Sequence, residues 1–407
     1  MQLCNEFSVP IVARGRGTGT AGAAVPVRGG LVLAMERMAR ILTMDPANRV
    51  MVVEPGVTNQ EVQEAAAVHG FFWPPDPTSA AFCTIGGNLA CNSAGPHAVK
   101  YGTTRENTLG LRAVTGAGEI IRTGVYTTKG VVGYDLTRLL IGSEGTLAIV
   151  TEATLKLTPL PEARRILQAV YADMEAAAAA VARIMGQAVT PCALEMMDGQ
   201  AIEMIRTYSK ASLPEGAGGL LMIEVDGPSA GLDEATAQVA TAARGEGLLE
   251  LHTAVTQDET EALWATRKAL SPALRTVAPK KINEDVVVPV SRMAELIAGL
   301  RRLGAEHGIT IVNFGHAGNG NIHVNLLVDP DNPAQMAEAD RCLDQVFDLV
   351  LRLGGTLSGE HGVGTQKRNF VNREIDPVTL GVMQQIKTIF DPRSILNPDK
   401  VFPSTIG

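Results

Sequence analysis

Aromatic residues make up only 4% of this 407-residue chain, cysteine occurs five times, and positive charge falls eight short of negative. Each shortage excludes a class of protein. At a formal net charge of −8, no basic patch dominates the field, which argues against a nucleic-acid partner. No uninterrupted apolar run approaches the roughly 18–20 residues that span a bilayer, so no transmembrane segment is expected. The opening MQLCNEFSVPIVARG has neither a basic leader nor a long apolar core, so no secretory signal is expected there. Cys4, Cys83, Cys91, Cys192 and Cys342 are odd in number and never spaced CxxC. That pattern points to a reduced, cytoplasmic setting, with peripheral membrane association left open. Glycine, by contrast, is abundant at 42 residues, in a chain that is 45% hydrophobic and 19% charged. This is the composition of a globular protein mixing helix and sheet, with many close backbone approaches. Its length predicts two domains.

The texture changes along the chain. Residues 1–160 hold short apolar runs punctuated by glycine, such as GLVLAMERM, VMVVEPGV and LGLRAVTGAGEIIRTG, which read as strands and hairpins. One helix is predicted at TNQEVQEAAAVHG, where Thr58 can cap and Glu61 stands three residues on. Two prolines in KLTPLPEARR mark a boundary. Beyond it, ILQAVYA, the alanine-rich MEAAAAAVARIMG and CALEMMD read β-α-β, and GLLMIEVDG, LDEATAQVATAARGEG and LLELHTAV repeat the pattern. Two such units predict an α+β domain of helices against an antiparallel sheet, roughly ferredoxin-like, over 161–385. Further helices are predicted at ETEALWATRKAL, SRMAELIAGLRRLGAEHG, AQMAEADRCLDQVFDLVLRLGG and VTLGVMQQIKTIF.

The stretch ARGRGTGTAGAAVP contains Gly17-x-Gly19-x-x-Gly22, the pattern of a dinucleotide-binding Rossmann turn. That unit needs a helix opening from the last glycine and an acid about 20 residues on. Pro26, Gly29 and Gly30 stand where the helix should be, and Glu36 follows no clean strand end, so a nicotinamide-dependent enzyme is disfavoured. No Lys-Ser/Thr follows the glycines, so a Walker loop fails too. Two readings remain: an ordinary hairpin turn, or backbone N–H groups freed by Gly15, Gly17 and Gly19 that form an anion-binding nest, with Arg14 and Arg16 adding charge.

Two further segments favour the nest. PPDPTSAAFCTIGGNLACNSAGPHAVKYGTTRENTLGL has little side-chain bulk, so its backbone can lie along an extended ligand, and GYDLTRLLIGSEGTLAIVTEATLKLTP places Ser143-Glu144-Gly145-Thr146 ahead of a strand. In this order and spacing the three segments resemble the FAD-binding domain of the vanillyl-alcohol oxidase/p-cresol methylhydroxylase superfamily. The resemblance is closest to the branch of FAD-linked 2-hydroxyacid dehydrogenases and oxidases. It implies an α+β fold with a p-cresol methylhydroxylase-type FAD domain over 1–160, a substrate (cap) domain over 161–385, and a segment, 386–407, returning to the FAD domain. Members of that branch usually carry several dozen residues before the pyrophosphate loop, so the FAD domain is expected to be N-terminally incomplete here.

The same resemblance implies that Arg14, Gly15, Arg16, Gly17, Thr18, Gly19 and Thr20 wrap the FAD pyrophosphate. Pro77, Thr78, Ser79, Ile85, Gly86, Gly87, Asn92, Ala94 and Gly95 would run beside the ribityl chain and flavin, with Tyr101 and Gly102 in the same wall. Glu144, Gly145 and Ile149 would meet the adenine end, and Asn397, in ILNPDKVFP, would touch the flavin. Some superfamily members tether the flavin through a His or Cys. His97 and Cys83 lie in the relevant stretch, but this branch implies noncovalent FAD.

The second half carries its own constellation. In NFGHAGNGNIHVNLLVD, a two-residue Asn319-Gly320 turn would place His316 directly opposite His323, which suits either a shared metal or a pair of structural histidines. In SGEHGVGTQKRNF, Glu360 can supply a carboxylate and His361 a base. A His-His-Glu set with an open position has the make-up of a catalytic metal site. The two segments resemble the GHxGxGNxH and GEHG signatures of the 2-hydroxyacid dehydrogenases. That resemblance implies a divalent metal, with zinc expected, on His316, His323 and Glu360, and His361 as proton acceptor. Carboxylate recognition calls for an Arg fork or a Lys charge. Trp264 and Arg267 lie three apart on one predicted helix, and Arg267 matches the branch's substrate-carboxylate arginine. The lysine expected before DVVVP has two candidates by count: Lys281 is near, whereas Asn283 occupies the matching position.

The expected activity is oxidation of a small D-2-hydroxy acid of the glycolate, D-lactate or D-2-hydroxyglutarate class. Electrons would pass to a quinone, cytochrome or electron-transfer flavoprotein. The alternative is a flavin-poor subunit acting with partner subunits in a glycolate oxidase-type complex.

Overall fold

The structure, a computed structural model, describes residues 1–404 apart from 209–212, 255, 269, 271–273 and 275–277, and excludes the side chains of 207, 208, 257 and 265–268. The chain divides into two units, one formed by 1–160 with 360–407 and the other by 161–359.

In the first unit the short apolar runs become strands: β1 (Ile11–Arg14), β2 (Leu31–Ala34), β3 (Ile41–Asp45), β4 (Val50–Val53), β5 (Phe71–Phe72), β6 (Thr108–Thr115), β7 (Ile120–Gly124), β8 (Ala148–Lys156) and β9 (Thr158–Pro159). Five of them form an antiparallel sheet in the order β3-β4-β8-β6-β7, while β1 pairs parallel to β2. The connection from β1 to β2 contains no helix, so it lacks the element a Rossmann unit requires. Glu36 does follow a strand, two residues past β2, but its carboxylate lies 3.9 Å from Arg16. The helix Asn59–Ala67 starts as its sequence predicts: Thr58 accepts from the Glu61 N–H while Glu61 accepts from the Thr58 N–H, a reciprocal capping box. Its buried Val62 and Ala66 join Met51, Trp73, Ile85, Leu89, Leu111 and Leu155 in one core, and the Trp73 indole N–H donates to the Asn107 carbonyl at 2.9 Å.

In the second unit, β10 (Ala163–Tyr171), β11 (Ala193–Asp198), β12 (Gly219–Gly227), β13 (Leu248–Thr253), β14 (Lys280–Val287), β15 (Thr310–His316) and β16 (Asn321–Val328) form one antiparallel sheet, in the order β13-β10-β12-β11-β15-β16-β14. The first four strands by themselves run 4-1-3-2, the ferredoxin-like order, with helices Met174–Met185 and Ser229–Ala243 as crossovers. Strands β11, β12 and β16 are buried along almost their whole length; β12 accordingly reads as an apolar run, whereas β16 alternates polar and apolar residues from Asn321 to Leu326. Asp173 starts its helix by accepting from the Ala176 N–H at 2.7 Å.

One assignment differs from the sequence reading. Residues 360–385 group with the first unit rather than with the cap. The reason is backbone chemistry that leaves no periodic trace. The Glu144 carboxylate accepts from the Val363 and Gly364 N–H groups, and helix Pro377–Phe390 lends Ile386 and Phe390 to the first unit's core. No helix among the described residues is long and apolar enough to cross a membrane.

Candidate active site

In the first unit, the glycine loop after β1 stays open. Arg14, Arg16, Gly17, Thr18, Gly19 and Thr20 are exposed, and Gly17 takes a left-handed conformation, φ 66°. Gly15 is required by a close approach: a Cβ there would stand 2.2 Å from Thr84 Oγ1. Thr84 in turn caps the short helix Ile85–Cys91, so the loop and the second glycine segment meet at this contact. Within that segment Ile85 is fully buried in the core, which leaves half-buried Gly86 and Gly87 as the accessible backbone. Pro77, Thr78 and Ser79 form the turn leading in, with the Ser79 carbonyl accepting from the Phe82 and Cys83 N–H groups. Asn92, at φ 52°, spends its side-chain oxygen on the Thr103 hydroxyl and the Arg105 N–H. The Ala94 carbonyl takes the Asp76 N–H, and a Cβ on Gly95 would lie 2.5 Å from Asp76 Oδ1. His97 bonds to the Asp76 carboxylate, and the buried Cys83 thiol lies 3.4 Å from Asn88 Nδ2. Tyr101 stacks edge-on against Phe72, with Gly102 following at φ 79°.

The third glycine segment is committed internally. Glu144 holds Val363 N and Gly364 N at 2.6 and 2.8 Å, and burial raises its carboxyl above the ordinary value against the pull of those two donors. Asn397 Nδ2 donates to the Ala23 and Glu144 carbonyls, while its Oδ1 is buried with no hydrogen-bond partner among the described residues. Ile149 is buried beside Ile11 and Leu396, and Gly145 turns at φ 69°. Glu144 and Asn397, expected as cofactor contacts, thus tie the C-terminal segment down. The open backbone loop and the close glycine approaches are what an extended diphosphate ligand requires.

In the second unit the sheet register assembles a polar face. Opposed residues share a face, so the pairs Glu195↔His316, Phe314↔His323, Asp285↔His323, His316↔Asn321 and Asn283↔Asn325 place all these side chains on one side of β11, β15, β16 and β14. The expected pairing of His316 with His323 does not occur. A single 3-10 turn at Ala317–Asn319, closed by Gly320 at φ 70°, makes a four-residue connection, so His316 faces Asn321 instead. The tail of β14 dictates this: Val288 N–H bonds to the Gly320 carbonyl, and a Cβ on Gly320 would lie 2.0 Å from Val288 O. The imidazoles are nonetheless diagonal neighbours, ring centroids 5.2 Å apart and nearly perpendicular, with ligand-capable atoms within 4.8 Å. Both are buried, a setting with the right donors for a divalent ion.

Asp285 organises the approach to the SGEHG segment. Its carboxylate accepts from the Ser358 hydroxyl at 3.1 Å and the Gly359 N–H at 2.9 Å, and Thr356 pairs with Val287. Glu360 and His361 follow directly along the chain. Lys281 and Asn283 alternate on β14 and share its polar face, with Asn283 Oδ1 buried and lacking a hydrogen-bond partner among the described residues. Arg267 falls within helix Gln257–Lys268, but its side chain lies outside the described residues. Trp264 packs at the edge of the core formed by Met197, Phe314 and Leu327. Sequence reasoning missed Glu195, Asp285 and Asn325. Glu195 carried a signal, a charge inside a short, fully buried and largely apolar strand; Asn325 stands in fully buried β16, whereas Asp285 lies in the polar stretch KKINED and carried none.

Comparisons with known proteins bear on the family and the fold. Residues 1–124 match the family described as "FAD binding domain", and residues 160–401 match "FAD linked oxidases, C-terminal domain". The chain is 40% identical to the glycolate oxidase subunit GlcD of Bacillus subtilis, covering 99% of this chain and 86% of that protein. It is 34% identical to the Escherichia coli K12 protein of the same name, covering 99% and 81%. It is 37% identical to a D-lactate dehydrogenase of Archaeoglobus fulgidus, covering 98% and 88%. Among solved structures, p-cresol methylhydroxylase superposes with a TM-score of 0.78 at 18% identity, over 98% of this chain and 86% of that one, which speaks for the fold. The chain belongs to the FAD-linked oxidases and is an FAD-dependent oxidoreductase of α+β fold.

Proposed function

We propose that this chain oxidises a small D-2-hydroxy acid of the glycolate or D-lactate class to its 2-oxo acid, with a divalent metal, zinc expected, as helper. The observation that carries the reading is the pair of buried imidazoles, His316 and His323, on the polar face of the second unit. The names borne by the 40% and 37% identical relatives, a glycolate oxidase subunit and a D-lactate dehydrogenase, support the substrate class. Glu360, peptide-bonded to the Asp285-anchored Gly359, is the proposed third ligand.

An α-hydroxyl does not release its proton at neutral pH unaided; a divalent ion held by His316, His323 and Glu360 would supply Lewis acidity, and noncovalent FAD would supply the hydride-accepting capacity. The chain's own residues supply the rest. His361 takes the hydroxyl proton, and Arg267 pairs with the carboxylate, with Lys281 or Asn283 beside it on β14. The backbone of 14–20, 77–79, 86–87, 94–95 and 101–102 holds the cofactor. The relatives named as subunits favour partner oxidase subunits, which would deliver electrons to a quinone, cytochrome or electron-transfer flavoprotein.

The test is anaerobic mixing of FAD-loaded protein with glycolate, D-lactate or L-lactate while following the flavin band near ~450 nm. Bleaching by the D-acid or glycolate and not by the L-acid is expected. Protein that binds FAD but is bleached by none of these acids refutes the assignment. Unchanged metal content in His316→Ala refutes the ligand assignment.

A further inference from the structure

The polar face contains a carboxylate that neither the fold nor the proposed ligand set accounts for. Glu195 sits in the middle of β11, is 1% exposed, and is flanked by Leu194, Met196 and Met197, all buried. A carboxylate so placed carries a large desolvation penalty unless it is bonded to a specific partner. That partner is His316, directly across the β11–β15 ladder, with Glu195 Oε1 2.5 Å from His316 Nδ1. An ionised carboxylate has only acceptors, and accepting in this bond it requires the hydrogen on Nδ1. In the neutral imidazole the lone pair then resides on Nε2.

The geometry points to Glu195 as a positioning residue that fixes the tautomer and ring orientation of His316, so that Nε2 is the atom presented to a divalent cation. This rests on the reading of His316 and His323 as metal ligands. A carboxylate behind a ligating imidazole also raises its basicity, and removing such a partner typically weakens metal affinity by about 10–100-fold. The nearly perpendicular His323 ring, 5.2 Å away, makes orientation matter, because a rotated or wrongly protonated His316 would turn an N–H toward the ion instead of a lone pair.

The experiment measures zinc affinity of the full-length protein by competition with a chromophoric chelator, for wild type, Glu195→Met, Glu195→Gln and His316→Ala. Met fills the same space without an acceptor, whereas Gln keeps an oxygen able to accept from Nδ1–H. Glu195→Met is expected to weaken zinc binding about 10–100-fold, Glu195→Gln to restore most of that loss, and His316→Ala to abolish the site. In parallel, 15N-histidine spectra of zinc-free wild type at pH 8 report the tautomer without any variant having to fold. Nδ1–H on His316 is expected. Zinc affinity unchanged in His316→Ala would remove the ligand reading itself. Affinity lost in His316→Ala but within twofold of wild type in Glu195→Met overturns the positioning role, as does an Nε2–H tautomer in the wild-type protein.

Discussion

The pairing that sets Glu195 against His316 stops two residues further on, and Asp198 stands at that point. The β11–β15 ladder runs through Glu195↔His316, Met196↔Gly315 and Met197↔Phe314. At the next position the Asp198 carboxylate replaces the strand bond: Oδ2 accepts from Asn313 N at 2.8 Å and from Asn313 Nδ2 at 2.9 Å, while Oδ1 caps helix Gly199–Tyr208 through the Ala201 N–H. Asp198 therefore locks the register on which the polar face depends. Burial pushes its carboxyl up from 3.8 to about 6, against the pull of those donors. Between these values the folded chain holds a proton that the unfolded chain has released, so stability contributed by this group falls as pH rises through that window and is flat above it. A rise of about two units corresponds to roughly 3 kcal/mol. Asp198→Asn cannot titrate, so subtraction isolates the effect. Urea unfolding is followed by Trp264 fluorescence, with Trp73→Phe in both proteins to silence the first unit. The stability of the protein that keeps Asp198, relative to the Asp198→Asn variant, is expected to fall by about 3 kcal/mol between pH 4 and pH 7. A difference that is flat, or that grows with pH, refutes the buried high-pKa carboxyl.

Three further outcomes follow from single contacts. Glu144→Gln keeps the shape but presents an NH₂ to one of the two N–H groups it held. A loss of about 1–3 kcal/mol is expected, read as a lower thermal midpoint and faster proteolysis within 360–370. Lys387 is tied to buried Asp391 and donates to the Thr146 and Leu396 carbonyls. Lys387→Met leaves that carboxylate without its counter-charge, held only by the Ile395 and Leu396 N–H groups, at a cost of about 3 kcal/mol, and adding Asp391→Asn should recover part of it in the same melt. Thr58→Ala removes one side of the capping box and is expected to cost about 1 kcal/mol in urea unfolding of the first unit.

What the sequence made legible was mostly local. The Thr58–Glu61 cap announces its helix because both partners lie within one turn. The order of β10 to β13 follows from two β-α-β texts whose crossovers pack on one side. Contacts that depend on distant segments were not legible. Glu195 is conspicuous as a charge in an apolar strand, but its partner lies 121 positions away, and nothing in either segment names the other. Residues 360–385 left the cap because two backbone N–H groups reach Glu144, and backbone donors have no sequence signature. The glycine loop was read correctly as a non-Rossmann turn because Pro26, Gly29 and Gly30 forbid the helix by their own geometry.

The histidine pair shows why a wrong turn prediction can leave a site intact. A two-residue turn would have set His316 against His323; the four-residue connection shifts the register by two and sets Phe314 there instead. Side chains in a strand alternate with period two, so an even shift moves neighbours along a face without exchanging faces. Both imidazoles therefore stay on the side that also holds Glu195, Asp285, Asn283 and Asn325. A shift of one would have sent one of them to the opposite side, the side of Val324 and Asn313. The face is thus protected by parity, and the Gly320–Val288 contact fixes which even register is taken. The apolar half of the same face, Val170, Leu220, Met197, Val312 and Leu327, lies against helix Gly199–Tyr208 and holds the strands in place. The polar half lies beyond this packing, is itself buried at Glu195, Asp285, His316, His323 and Asn325, and takes its chemistry from the polar residues those strands carry there.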